Sequence, residues 1–433
     1  MNRLAMSASE LSVIFFLQMF VILAVCRLVG WLAGKFGQPQ VVGEMVAGVV
    51  MGPSIMGVVL PQAQQHLFPA QSFPFLYIGA QLGVGLYMFL VGLEFNSALF
   101  RTRARSAASV SIAGIIGPFA CAVVLAPWLV RQTGLFPSNA TQFEATLFLG
   151  AAIAITAFPV LARIIYERGL TGTALGTLAL AAGAIDDASA WCLFAIVLAS
   201  FQKLPDGSTN LLMVAKVIGG GAAYAAVVLG AGRRLLAPLG RIAGHEGKIS
   251  PALLSVVLML FCLGAWATDA IGLHAVFGGF LLGTVMPRGA FARELRQKLH
   301  PFAVTFLLPM FFTYSGLNTR LDMMNTPQLW VIALVVLGAS ILGKGGACWV
   351  AARLTGEDHR TALGLATLMN SRGMMELILI NIGLQKGIIE PALFSILALM
   401  AIVTTLMATP LFERFYGRAA RRSGELPADA VEA

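Results

Sequence analysis

Two aspartates stand side by side in a run of small and apolar residues that reads Ala184-Ile-Asp-Asp-Ala188 and continues Ser-Ala-Trp. The run is long enough to cross a bilayer as a helix. Asp186 and Asp187 fall about 15 residues into it, near the bilayer centre at roughly 1.5 Å of rise per residue. A carboxylate at that depth costs at least about 2.5–3.5 kcal/mol on insertion scales, so an intramembrane acid is a functional candidate by default. Two in succession strengthen the signal. Successive helical positions point in different directions, so one carboxylate can face an aqueous cavity while the other meets a partner. The natural partner is Lys344, the one lysine near the middle of another apolar run. Burial disfavours a charge and pairing favours it. A carboxylate held between these tendencies can carry a proton in one state and a cation in another. Competition for one carboxylate is by itself an exchange mechanism. The plainer reading makes Asp186 and Lys344 a structural salt bridge, and it leaves Asp187 without a partner.

The elements that position these residues follow from composition. The 433 residues are 58% hydrophobic and 11% charged, less than half the roughly 25% charged that is usual for soluble domains. Apolar residues gather into blocks of about 20, which makes the lipid bilayer the solvent. Blocks between charged or turn-like segments predict thirteen spans, near 11–34, 41–60, 74–95, 105–130, 144–165, 171–201, 210–231, 250–271, 272–287, 301–318, 327–353, 359–384 and 391–415. The first lacks a small-residue cleavage pattern and reads as a retained helix rather than a signal peptide. The five cysteines, Cys26, Cys121, Cys192, Cys262 and Cys348, all lie inside apolar blocks without zinc or disulfide spacing.

The net charge of +9 forms no single patch and accompanies no nucleic-acid motif. Basic residues mark sidedness instead. Nineteen lie in the odd-numbered loops and the C-terminal tail, from Lys35 to Arg422, and five on the other side: Arg3, Arg131, Lys203, Arg320 and Lys386. The positive-inside rule then expects the N-terminus outside and the C-terminus in the cytoplasm. Arg418 to Arg422 can anchor to anionic lipid.

The spans repeat. Val41–Gly52 overlays Gly272–Gly283, placing Gly48 and Gly52 on Gly279 and Gly283, and Tyr87–Leu93 overlays Phe311–Leu317. Corresponding spans are seven apart, an odd number, so the copies run in opposite orientation. An inverted-topology repeat is the architecture of many secondary transporters, with sites where corresponding helices are interrupted. Thr156-Ala-Phe-Pro159 in span five and Asn370-Ser-Arg-Gly373 in span twelve carry the interrupting residues in matching register. Unwound backbone there frees carbonyls to ligate a cation and aims half-helix dipoles at the site. The expectation is an all-α membrane protein of about 13 transmembrane helices with two broken, crossing helices. Its transmembrane domain covers 1–417, with repeat 1 over about 11–201, a linker helix over about 210–231 and repeat 2 over about 250–415; a short cytoplasmic tail follows at 418–433.

Other charges are weaker candidates. Arg372 and Glu376 lie four apart on span twelve and read as a helical pair, or as electrostatic support for the broken segment. Arg163 and Glu167 share that spacing near a helix end. Glu44, Glu94, Asp269 and His274 lie near span ends, as boundary or packing residues. Gly338-Ala-Ser-Ile-Leu-Gly343-Lys344 imitates a phosphate-binding loop, but Gly345 stands where Ser or Thr is required. No protease or nucleophile-elbow motif occurs, and neither enzymatic activity nor a cofactor is expected.

Four motifs in order, Phe89-Leu-Val-Gly-Leu-Glu-Phe95, Thr156-Ala-Phe-Pro-Val-Leu-Ala-Arg163, Ala184-Ile-Asp-Asp-Ala188 and Asn370-Ser-Arg-Gly-Met-Met-Glu376, resemble the monovalent cation/proton antiporter-2 family of bacterial sodium/proton and potassium/proton exchangers. The likeness runs from about Leu11 to Phe415. It implies the sodium/proton antiporter fold in the inner (plasma) membrane, and a homodimer whose six-helix core moves in an elevator-like cycle. It also implies that Asp187 alternates between a cation (Na+ or K+) and a proton, that Asp186 pairs with Lys344, and that the Thr156 and Asn370 crossover, with Ser371 beside it, contributes ligands. Members with a double aspartate and this lysine resemble electrogenic exchangers of two protons per cation. Glutathione-gated potassium-efflux relatives carry a nucleotide-binding domain and a different acid motif, so no such regulatory domain is expected here. The surroundings of the aspartates are similar to the plant and fungal branch, which is associated with potassium. A potassium efflux pathway or channel and a sodium-coupled organic-acid symporter are the alternatives, and both the cation and the pH range stay open.

Overall fold

Apolar runs bounded by capping residues and prolines fold into helices throughout, and among the described residues no strand occurs. The computed structural model describes residues 7–38, 40–94, 104–170, 173–200, 211–246, 248–273, 275–321 and 324–422. Its main helices are α1 Ala8–Lys35, α2 Gln40–Met51, α3 Phe73–Glu94, α4 Ala104–Val130, α5 Gln142–Ala154, α6 Phe158–Glu167, α7 Ala174–Ser200, α8 Leu211–Val227, α9 Arg233–Glu246, α10 Pro251–Ile271, α11 Ala275–Val285, α12 Ala290–Phe302, α13 Leu308–Asn318, α14 Pro327–Ser340, α15 Ala347–Leu354, α16 His359–Met369, α17 Met374–Gln385 and α18 Pro391–Phe412. Among the described residues, eight helical stretches are long and apolar enough to cross a membrane, and α5, α11 and most of α17 are shorter apolar helices. Large apolar side chains such as Phe16, Phe20, Val124, Trp266 and Leu342 are more than half exposed. That pattern suits a chain whose surroundings are hydrocarbon.

By packing, the chain divides into two units, Met1–Val25 with Gln62–Asn96 and Leu198–Tyr314, and Cys26–Pro61 with Ser97–Val197 and Ser315–Ala433. In the first, Gln18 Nε2 donates to the Leu67 carbonyl and Ser72 Oγ, each at 2.7 Å. The Arg288 guanidinium donates to the carbonyls of Leu93 and Thr284.

The second unit holds every residue of the candidate site. Span five is two half-helices, α5 and α6, separated by Ile155–Ala157. Pro159 is the second residue of α6, a first-turn position whose backbone needs no intrahelical donor. Thr141 and Glu144 form a reciprocal capping box at the start of α5. Span twelve breaks between α16 and α17, and Asp358 caps α16 by accepting from the amides of Arg360 and Thr361. The breaks meet: the Ala157 amide donates to the Ser371 carbonyl at 3.0 Å. Gly373 permits that approach, because a Cβ there would lie 2.9 Å from Val160 Cγ2 and 3.1 Å from Ala157 Cβ.

Between α14 and α15 the helix widens into a π-turn over Ile341–Gly346, with Lys344 inside it. Such turns insert one extra residue and re-aim the side chains around them. Helix α4 packs here at close range: a Cβ on Gly117 would lie 2.2 Å from the Gly343 carbonyl oxygen. The close approach brings α4, which carries Ser111, beside the segment that carries Lys344.

Candidate functional site

Asp186 and Asp187 sit midway along α7, almost completely buried. Their surroundings are opposite. Asp186 Oδ1 accepts from the Ser111 hydroxyl of α4 at 2.5 Å, and Oδ2 accepts from the Thr156 hydroxyl at 2.9 Å and from Lys344 Nζ. Three donors from three different segments therefore satisfy one carboxylate. Asp187 is fully buried, and neither of its oxygens has a hydrogen-bond partner. A buried carboxylate without a donor is costly unless something charged or protic joins it.

Thr156 stands in the first break, and its hydroxyl is also within donating distance of the Met369 carbonyl, at 2.8 Å. That carbonyl ends α16, so the single Thr156 proton is shared between Asp186 and the end of the second broken helix. The reverse holds too. The last carbonyls of α5 and its break are capped by cations: Arg372 donates to Ala152 O and Ile155 O at 3.1 Å and to Ile153 O at 2.5 Å, while Lys344 donates to Ala154 O. Two positive side chains thus cover the negative end of a half-helix, where both the orphan carbonyls and the dipole favour them. Arg372 also donates to Ser340 Oγ at 2.5 Å, and Thr405 holds its backbone, donating to its carbonyl and accepting from its amide.

The expected pairing of Arg372 with Glu376 is present as a buried ion pair, although not on one continuous helix. Arg372 lies in the break, ahead of α17, so the i,i+4 geometry of a continuous helix does not govern it. Its Nη1 is 3.6 Å from Glu376 Oε2, within ion-pair range and beyond hydrogen-bond distance. Glu376 is fully buried in the first turn of α17. Asn370 donates weakly to Ala366 O and Ile341 O at 3.3 and 3.4 Å, and leaves Oδ1 unpartnered; Ser371 Oγ is likewise buried and unpartnered. The unpartnered atoms near the breaks are therefore oxygens for the most part, the donor set that a hard monovalent cation uses.

Sequence reasoning did not find Ser111, Ser340 or Thr405. Each is a small polar residue inside an apolar run, with nothing local to separate it from ordinary packing. Several residues singled out in the sequence have side chains outside the described set, namely Pro159, Arg163, Glu167 and Glu94, as do the whole of Lys203, His274 and the tail from 423 to 433.

Two interrupted helices joined at their breaks beside a buried acid pair, in a chain with eight stretches long and apolar enough to cross a membrane among the described residues, mark an integral membrane protein with a buried charged site. The chain belongs to the family described as sodium/hydrogen exchanger, transmembrane, whose sequence model matches residues 11–415. It is 39% identical over 397 residues to the Na(+)/H(+) antiporter NhaS4 of Synechocystis, covering 92% of this chain and 95% of that protein. It is 31% identical over 423 residues to K(+)/H(+) antiporter 1 of Saccharomyces cerevisiae, covering 95% of this chain and 47% of the yeast protein. The chain thus spans about half the length of that relative. The sodium proton antiporter MjNhaP1 of Methanocaldococcus jannaschii shares the fold, with a TM-score of 0.62 at 14% identity over 98% of this chain and 100% of that one.

Proposed function

We propose that the protein exchanges a monovalent cation, Na+ or K+, for protons, with Asp187 as the carrier of both. The observation that carries this reading is the contrast between neighbours: Asp186 has three donors, and Asp187, one residue along the same helix, has none. A carboxylate already satisfied by Ser111, Thr156 and Lys344 has little to gain from a ligand. An unsatisfied one gains from either a cation or a proton, and holding one excludes the other. Asn370 Oδ1, Ser371 Oγ and the Thr156 hydroxyl are the neutral oxygens the breaks can offer to a partly dehydrated ion.

In this reading Asp186, Lys344 and Arg372 are positioning residues. They hold the breaks and the half-helix ends in place so that Asp187 meets its ligand in a fixed frame. The inverted repeat, with the halves about 11–201 and 250–415, supplies two related conformations that expose the site alternately to each side. Movement of the core in an elevator-like cycle, a homodimer, an electrogenic cycle, residence in the inner membrane and a cytoplasmic C-terminus all belong to the same proposal, supported by the family and by the distribution of basic residues.

The test is a pH-dye assay in inverted vesicles energised to an acid interior, with sodium, potassium, lithium or an organic acid salt added in turn. Exchange predicts release of luminal protons on adding at least one of the cations. Cation flux without proton movement would instead assign a channel, and a response that requires the organic solute would assign a symporter.

A further inference from the structure

Glu376 is a second buried acid that the exchange at Asp187 does not use. It is fully buried, and neither carboxylate oxygen has a hydrogen-bond partner. Its neighbour Arg372 is not an ordinary partner. The four terminal N–H bonds of that guanidinium go to the carbonyls of Ala152, Ile153 and Ile155 and to Ser340 Oγ, and Nε is unpartnered. All four terminal donors are therefore taken by other acceptors, and Nη1 lies 3.6 Å from Glu376 Oε2, an ion pair at longer than hydrogen-bond distance. A structural salt bridge in a dry interior needs hydrogen bonds to hold its geometry, and this one has none. Among the described residues, the charged groups near enough to act on Glu376 are Arg372 and Lys344, and Lys344 is itself committed to Asp186 and Ala154 O.

Counting charge around the breaks gives Glu376 a task. Asp186 balances Lys344, and both stay fixed by their hydrogen bonds. Arg372 is always charged, as it caps a half-helix. Asp187 exchanging one proton for one cation leaves the net charge of this cluster unchanged. If Glu376 also loses its proton when the cation enters, the proton-loaded cluster carries one positive charge and the cation-loaded cluster carries none.

Resting on the exchange reading above, we propose that Glu376 is the second proton carrier of the cycle. Cation binding would turn the two carboxylic acids at Asp187 and Glu376 into two carboxylates, one of them holding the cation, and release two protons. The reaction balances in charge and atoms, and one net charge crosses per turnover without breaking the Asp186–Lys344 pair. Arg372 would then act as the fixed counter-charge that Glu376 faces after it has given up its proton.

The experiment counts protons released per cation bound. Purified full-length protein in weakly buffered detergent receives NaCl or KCl, whichever drives exchange in vesicles, with choline chloride as the control. A pH dye reads the protons and calorimetry reads the bound cation. Wild type is expected to release about two protons per cation, and Glu376→Gln about one with the cation still bound. Release of one proton by wild type, or of two by Glu376→Gln, overturns the assignment of Glu376 and leaves exchange at Asp187 intact. If Glu376→Gln does not give a monodisperse, cooperatively melting protein, Glu376→Asp is used. It should keep two protons and move the pH midpoint of one release step, whereas an unmoved midpoint overturns the proposal. No cation-evoked release from wild type at all would overturn the exchange reading itself.

Discussion

The amide of Ala157 donates to the carbonyl of Ser371 at 3.0 Å, joining the two interrupted helices backbone to backbone at their breaks. The side chains on either side extend that link into a reciprocal arrangement. Thr156 of the first break reaches the end of α16, and Arg372 of the second reaches the end of α5. Each broken helix is thereby terminated by the other, and the frame around Asp187 depends on both.

Removing Arg372 should be the most damaging change to this frame. Arg372→Met strips donors from three carbonyls and leaves Glu376 without its counter-charge. A buried acceptor left unsatisfied costs about 1–3 kcal/mol. Thermal melting in detergent should fall by an amount equivalent to that range, with exchange abolished. Arg372→Lys keeps the charge but offers a compact ammonium in place of a planar fork; it should melt between the two.

The hydroxyl at Thr156 can be separated from its methyl. Thr156→Ser keeps the donor to Asp186 and Met369 O and should exchange with near wild-type half-saturation. Thr156→Val removes a hydrogen bond to a charged group, worth about 1.5–3 kcal/mol. The cation concentration for half-maximal exchange should rise about tenfold or more. Equal behaviour of the two variants would remove the hydroxyl from the site.

Close packing at the π-turn positions Lys344. Gly117→Leu would place a Cβ against the Gly343 carbonyl, so α4 must move away from Lys344, and with it Ser111. Exchange and thermal stability should both drop, by about 1–3 kcal/mol in the latter. Gly338→Leu, on the same helix as the π-turn but with nothing within 4 Å of the new Cβ, is the control and should retain both.

Much of this site could be read from the sequence. The double aspartate in an apolar run, the lysine in another and the breaks at Thr156 and Asn370 each leave a local signature, because charge and helix-breaking residues are rare in a bilayer. Partnerships between distant segments leave none. Nothing near Ser111 announces that it will meet Asp186, 75 residues away, and the spacing of Arg372 and Glu376 suggested a helical face where the chain is unwound. The π-turn at Lys344 was equally hidden, since its glycines also suit ordinary close packing.

Stability should respond to pH at the exposed cap of α16. The Thr361 side chain, and then the Thr361 and Arg360 amides, hold the Asp358 carboxyl below the usual carboxylate range. A depressed folded value means that the cap stabilises above the unfolded pKa, about 3.9, and that this contribution is lost as pH falls through the lower folded value. Asp358→Ala should therefore lower stability by about 0.5–2 kcal/mol at neutral pH. The gap to wild type should narrow in melts taken below about pH 4.

The central claim is that two adjacent aspartates have unequal roles. It is tested most directly by Asp187→Asn in vesicles, with cation-driven proton release followed by a pH dye and protein levels matched to wild type. No cation-driven release is expected from this variant at any pH at which the wild type is active. Exchange that persists at the wild-type rate in Asp187→Asn would contradict it.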